Sequence, residues 1–265
     1  MNRKVALITG GGSGIGAATA GRLTGAGWRV AICGRRLDAL EKVSADTGAL
    51  AITGDVARPE HAARIVAETV EEFGRLDGLV LNAGVIRPGA VLDLSLEDFE
   101  ETVRINLTGV FLMARQALPH LLAARGSVVT VSSVAALRAS DGMAAYSASK
   151  AAASMLTQSL AVDYGPQGLR ANVVCPGWTA TEMADAEMAD YAATTEASVD
   201  AAYRRATAFV PARRPASSDE VAAAIAWLLS DAATYVSAAV IPVDGAQSAV
   251  DAGTVPFDAR VSIEV

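Results

Sequence analysis

Tyr146 and Lys150, in the run Tyr146-Ser147-Ala148-Ser149-Lys150, stand four residues apart. On a helix, that spacing puts both side chains on one face, a single turn apart. With five tyrosines and three lysines in 265 residues, chance supplies only about 0.06 such pairs. A free phenol ionises near pH ~10, and a neighbouring ammonium favours its ionised form. A phenol tuned toward neutrality can give a proton to a carbonyl oxygen or take one from an alcohol. Ser133 lies thirteen residues earlier, at the end of a predicted strand, and could hydrogen-bond the same oxygen. Taken alone, Ser133 reads as a strand-end cap.

A second chemical feature precedes the pair. Thr9-Gly10-Gly11-Gly12-Ser13-Gly14-Ile15-Gly16 joins an apolar strand to a helix-period segment. Glycines permit a tight turn there and let a pyrophosphate reach backbone N–H groups at the helix N-terminus, where the dipole favours an anion. The spacing is G-x-x-x-G-x-G rather than G-x-G-x-x-G. A glycine cluster alone says little, and its position just after a buried strand makes it informative.

These residues need a scaffold, and the apolar pattern supplies one. Short β-branched runs at Val5–Thr9, Trp28–Cys33, Leu50–Thr53, Gly78–Leu81, Gly126–Ser132, Arg170–Cys175 and Ala238–Val243 read as strands. Their hydrophobicity is continuous rather than alternating, which suits strands buried on both faces of a parallel sheet. Helices are predicted near 14–26, 37–46, 59–74, 96–123, 145–164 and 217–230. The last opens on Ser217-Ser218-Asp219-Glu220, a cap followed by first-turn acids. The expected fold is α/β: one doubly wound Rossmann domain over 1–247, with about seven parallel strands and helices on both faces. The insertion at about 182–216 is acidic first and arginine-rich later, and predicts one or two amphipathic helices. Residues 248–265 form a tail whose Pro256-Phe257 and alternating Val261, Ile263 and Val265 suggest docking on the domain or a neighbour.

Composition narrows the chemistry. A 52% hydrophobic content excludes disorder, and a net charge of -7 argues against nucleic acid or an anionic membrane as main partner. No apolar run approaches the ~18 residues of a membrane span. Met1–Lys4 leads straight into Val5–Ile8, too short for a signal peptide, so a cytoplasmic protein is expected. Cys33 and Cys175 are 142 positions apart, and His61 and His120 are the only histidines, read as solvated helix residues. Neither a zinc site nor a Ser-His-Asp hydrolase can be assembled from them, and no metal is expected.

Taken together, Thr9–Gly16, Asn82-Ala83-Gly84, Asn106, Ser133, Tyr146/Lys150 and Pro176-Gly177 resemble the short-chain dehydrogenases/reductases. They keep that family's order and spacings over about residues 4–247. The chain looks most similar to the 3-oxoacyl-carrier-protein reductase-like and secondary-alcohol dehydrogenase branch. The resemblance implies that Tyr146 is the acid/base and that Ser133 orients the substrate carbonyl. Lys150 would hold the nicotinamide ribose. With the cationic nicotinamide, it would also supply the roughly 4 kcal/mol that brings the phenol to neutrality. Asn106, inside the 96–123 helix, would hold a water relaying protons from Lys150 to solvent. Gly10, Gly12, Ser13, Gly14, Ile15 and Gly16 would carry the phosphates, and Asp55 and Val56 would flank the adenine. Asn82, Ala83 and Gly84 would support the adenosine ribose. Pro176, Gly177, Thr179 and Thr181 would clamp the nicotinamide carboxamide. The chain departs from the family pattern at Leu81, Cys175 and Ala246, none of which removes a catalytic atom.

An NAD-specific site places an acid at the end of the second strand. Here that place reads Cys33-Gly34-Arg35-Arg36, with no acid and two guanidiniums suited to a 2′-phosphate. The expected cofactor is therefore NADP rather than NAD, with Arg35 as main contact and Arg36 beside it. Ile86, Val134, Ala135, Leu137, Met143, Trp178 and Met183 are the candidate pocket residues, suited to an apolar ketone or 3-oxoacyl-type small molecule. Arg138 reads as a surface residue, and the 182–210 segment reads as a lid. The resemblance further implies a homotetramer. The expectation is thus an NAD(P)-dependent oxidoreductase acting on CH–OH groups. The alternatives are an epimerase or dehydratase of the same fold, and a non-catalytic NAD(P)-binding regulator.

Overall fold

The computed structural model describes residues 3–195 and 198–257. Its elements follow the chain as β1 (Val5–Thr9), α1 (Gly14–Gly25), β2 (Arg29–Gly34), α2 (Leu37–Thr47), β3 (Leu50–Thr53), α3 (Pro59–Phe73) and β4 (Gly78–Leu81). Then come α4 (Leu96–Val103), α5 (Gly109–Ala124), β5 (Ser127–Val131), α6 (Ala144–Tyr164) and β6 (Arg170–Pro176). The rest are β7 (Thr179–Ala180), α7 (Glu182–Thr195), α8 (Val199–Ala206), β8 (Ala216–Ser217), α9 (Ser218–Leu229) and β9 (Val240–Val243). Seven strands form one parallel sheet in the order β3-β2-β1-β4-β5-β6-β9. Leu7 of β1 sits opposite Ala31 of β2 on one side and Leu79 of β4 on the other. The strand order therefore reverses between β1 and β4, where a doubly wound sheet opens a crevice at its carboxyl edge.

Alternate residues of β1 explain the layers. Val5 and Leu7 pack with α3, α5 and α6, while Ala6 and Ile8 pack with α1, α2 and α9. Each fully buried aliphatic side chain contributes roughly 1.5–3 kcal/mol relative to exposure, so both faces hold the sheet. At the amino edge, Asp77 accepts from the N–H of Val5 and from Nε of Arg75, pinning β4 to β1. α9 begins with a capping box: Ser217 Oγ accepts from Glu220 N, and Glu220 Oε2 accepts from Ser217 N.

The predicted helix over 96–123 is not continuous. α4 and α5 are separated by a π-helical turn at Arg104–Thr108, which contains Asn106. Such bulges cluster at functional sites. A two-stranded parallel ladder, β7 with β8, brackets the insertion and was not anticipated. The insertion itself is the helix pair α7–α8, tied by a 2.7 Å hydrogen bond from Tyr203 Oη to Asp185 Oδ1. The tail continues as short 3-10 turns at Gln247–Ala249 and Ala252–Phe257. Val261, Ile263 and Val265 lie outside the described residues. No described helix is long and apolar enough to cross a membrane.

Candidate active site

At the carboxyl edge of the sheet the chain turns sharply from β1 into α1. Gly10 adopts φ +65°, and a Cβ at Gly16 would lie 2.2 Å from the Gly10 carbonyl oxygen, so the loop closes only over hydrogen. Asn82, just past β4, locks this turn. Its Nδ2 donates to the carbonyls of Thr9 and Gly10, each at 3.0 Å, and the N–H groups of Asn82 and Ala83 donate to Thr9 Oγ1. α1 has no acid in its first turn, leaving its positive end free for an anion.

The catalytic candidates come from β5, α6 and the π-helical turn. Ser133 follows β5, where its Oγ caps the next turn by accepting from Ala135 N at 3.1 Å. Lys150 is buried, and its Nζ donates to the Val131 carbonyl at 2.8 Å, 5.7 Å from the Tyr146 ring centre. A polar seam sets the roll of α6. Ser132 Oγ donates to the Lys150 carbonyl, Ser154 Oγ lies 2.8 Å from Ser132 Oγ, and Thr157 Oγ1 lies 2.6 Å from Thr130 Oγ1. Positions 150, 154 and 157 form one helical stripe, and 130 and 132 are alternate positions along the β5 direction, so the seam follows from both periodicities. Apart from Lys150, none of these seam residues stands out in the sequence, because their partners are distant along the chain.

Asn106 is buried, and both of its amide protons are committed, to the Val85 carbonyl and Ser149 Oγ. Its Oδ1 accepts from Val85 N at 2.8 Å. The side chain thereby fastens the loop after β4 to α6.

The electrostatics differ from expectation. Burial pushes the Tyr146 phenol up to about 12, outweighing the downward pull of its hydrogen bond with Ser133, and the charge of Glu187 adds to the rise. Burial also draws the Lys150 ammonium down to about 8. The protein's own groups thus hold the phenol protonated.

These elements line one cavity of about 720 Å³. Its wall carries Gly10, Gly12, Ser13, Gly14, Ile15, Arg35, Arg36, Asp55, Val56, Asn82, Ala83, Gly84, Ser133, Tyr146, Lys150, Pro176, Gly177, Thr179 and Thr181. Gly16 and Asn106 stand behind the wall. Arg36 Nη2 donates to Glu182 Oε2 at 2.8 Å and to Ser13 Oγ at 3.4 Å, while Arg35 makes no ion pair among the described residues. Asp55 is pushed up by burial, but the Ala57 N–H and Arg104 more than offset this and hold its carboxyl below the usual value. His61 is not simply solvated, since its Nδ1 accepts from Asp55 N at 3.1 Å. Thr181 packs on Gly14 and caps α7 by accepting from Ala184 N.

Of the candidate substrate residues, Ile86, Val134, Ala135, Met143, Trp178 and Met183 line the cavity. Leu137 does not, because the turn after Ser133 carries it away. Arg138 is exposed and donates to the Leu137 carbonyl. Glu187 and Gln247 also line the cavity and are not picked out by the sequence, lying in the insertion and in the turn after β9, where no periodic pattern singles them out.

Glycines that admit no Cβ, an unopposed helix N-terminus and a continuous groove from Asp55 to Thr181 fit a dinucleotide. A family model described as Enoyl-(Acyl carrier protein) reductase matches residues 10–246. A cis-4-hydroxycyclohexanecarboxylate dehydrogenase of Sinomonas cyclohexanicum is 39% identical over 253 residues, spanning 93% of this chain and 97% of that one. A meso-2,3-butanediol dehydrogenase of Serratia marcescens is 35% identical over 257 residues, spanning 95% and 97%. The crystal structure of an actinorhodin polyketide ketoreductase with NADPH aligns with a TM-score of 0.88 at 35% identity, over 94% of this chain and 98% of that one.

Proposed function

The chain belongs to the short-chain dehydrogenase/reductase family, and from that premise we propose how its residues divide the work. It is an NAD(P)-binding oxidoreductase of alcohols and ketones, acting on a small molecule. A bound nicotinamide supplies or accepts the hydride. Tyr146 gives its phenolic proton to the carbonyl oxygen during reduction and takes it back from the alcohol during oxidation. Ser133 donates to the same oxygen and holds it against the phenol. Lys150, anchored on Val131, bonds the nicotinamide ribose and returns a proton to Tyr146. Pro176, Gly177, Thr179 and Thr181 hold the carboxamide side, and the glycine loop holds the phosphates.

The observation that carries this reading is the convergence of Ser133, Tyr146 and the buried Lys150 on the wall of the groove that suits a dinucleotide. NADP is the preferred cofactor, with Arg35 reaching its 2′-phosphate, since Arg36 is already engaged by Glu182. Residues 182–216 act as the lid, and the described part of the tail, 248–257, docks on the domain or a neighbour. The protein works in the cytoplasm as a homotetramer, for which exposed Phe111 on α5 and Met155 and Val162 on α6 supply an apolar face.

Absorbance of reduced nicotinamide, followed with NADPH and NADH across aliphatic and cyclic ketones and β-ketoacyl thioesters, tests the assignment. Turnover favouring NADPH and falling at least about a thousandfold in Tyr146→Phe is expected. Turnover that survives that substitution overturns the role given to Tyr146.

A further inference from the structure

The substrate end of the cavity is mostly apolar, walled by Ile86, Val134, Met143, Trp178 and Met183. Two acceptors interrupt it. Glu187 shares a face of α7 with Met183 and Ala184, all three lining the cavity, and is itself half-buried. Among the described residues no cation and no hydrogen-bond donor pairs with its carboxylate. It lines the same cavity as Tyr146 and Ser133. Gln247, in the turn after β9, has its Oε1 buried with no donor. A Cβ on Gly177 would lie 2.8 Å from that oxygen, which sets it at the end of the groove where the substrate meets the nicotinamide side.

A half-buried carboxylate and a buried amide oxygen without donors are both costly. A purely aliphatic ketone leaves both unsatisfied. By contrast, Asp141 lines the same cavity from an exposed position and keeps its water. The missing donor is best neutral. Lys150 and an oxidised nicotinamide both place positive charge beside the reacting carbon, which disfavours an ammonium there. Glu187 itself repels a carboxylate.

We propose, building on the alcohol–ketone reading above, that Glu187 and Gln247 bind a second hydroxyl of the substrate, so that the pocket selects diols and hydroxyketones over plain alcohols and ketones of the same size. Burial, helped by Asp190, raises the proton affinity of Glu187, consistent with a carboxylate that gains from such a donor.

The test uses the full chain loaded with reduced cofactor, in which alcohols bind without reacting. Nicotinamide fluorescence is titrated with 2-butanol, 2,3-butanediol and 1,3-butanediol. At least one diol should bind about tenfold or more tightly than 2-butanol, the difference expected for a hydrogen bond to a charged acceptor. Glu187→Leu should bring the two within about twofold, and Glu187→Gln should keep part of the preference. Equal affinities in the parent, or a diol advantage that survives both Glu187→Leu and Gln247→Leu, overturn the proposal. Tighter binding of 1-amino-2-propanol than of any diol overturns it as well, marking a cation site. Tyr146-independent turnover of 2-butanone, read in a separate kinetic assay, overturns the catalytic reading without altering these affinities. A chain that binds neither reduced cofactor overturns both.

Discussion

Replacing Lys150 by methionine should flatten a rise in folding stability that the native chain shows between about pH 7 and pH 9.5. Burial draws the Lys150 ammonium from 10.5 down to about 8, against the weaker upward pull of the Cys175 thiol. The unfolded chain therefore holds this proton more tightly than the native one, and unfolding takes a proton up throughout that window. Stability consequently climbs as pH rises from the folded value toward the unfolded one, and the penalty is present in full below about 8. At 1.36 kcal/mol per tenfold change in proton affinity, the displacement withholds about 3 kcal/mol at neutrality. About 2 kcal/mol of it is returned by about pH 9.5. Burial raises the thiols of Cys33 and Cys175, which act in the opposite sense once the pH passes their ordinary range. Both are present in the two proteins, so the informative quantity is the difference between them. The assay is urea unfolding of cofactor-free protein at both pH values, followed by circular dichroism. The native chain should gain about 2 kcal/mol more than Lys150→Met. The absolute stability at pH 7 is not diagnostic, because the variant also leaves the Val131 carbonyl without its donor. Parallel pH dependence, within about 0.5 kcal/mol, would refute the assignment of a buried, desolvated ammonium and with it the proton-returning role of Lys150.

Two other perturbations follow from the geometry. Gly16→Ala sets a methyl 2.2 Å from the Gly10 carbonyl oxygen and 2.7 Å from Asn82 Nδ2, so the glycine loop must open. Cofactor affinity should fall at least about tenfold in fluorescence titration, with a lowered melting temperature, and retention of both would count against a closed loop. Met155→Lys with Val162→Glu charges the exposed face of α6 and should reduce the proposed tetramer to smaller species by light scattering. An unchanged mass would locate the interface elsewhere.

Much of the architecture is legible without coordinates. The central strands declare themselves because they are buried on both faces and hence apolar without interruption, as in Val5–Thr9 and Ser127–Val131. Tyr146/Lys150 and Gly10–Gly16 declare themselves because the geometry they need is local: one helical turn, or one strand-to-helix turn. Boundaries shifted by a residue or two where hydrogen bonding, rather than apolarity, ends the element, as at Gly34 and Pro176.

What stayed hidden depends on groups far apart in sequence. The π-helical turn in the 96–123 segment goes with the bonds of Asn106 to Val85 and Ser149, and no helical periodicity reports those. Leu137 and Glu187 exchange places as cavity residues because the path of a turn and the docking of α7 decide which side chain faces inward. In the cofactor-free chain, burial governs the Tyr146 phenol. The nearness of Lys150 follows from their spacing, but desolvation follows from everything packed around them. Residue order thus determined which chemical groups exist and which lie within a turn of each other. Tertiary structure decided their burial and their distant partners, because solvent exclusion and electrostatic fields are sums over the whole fold and are carried by no single segment.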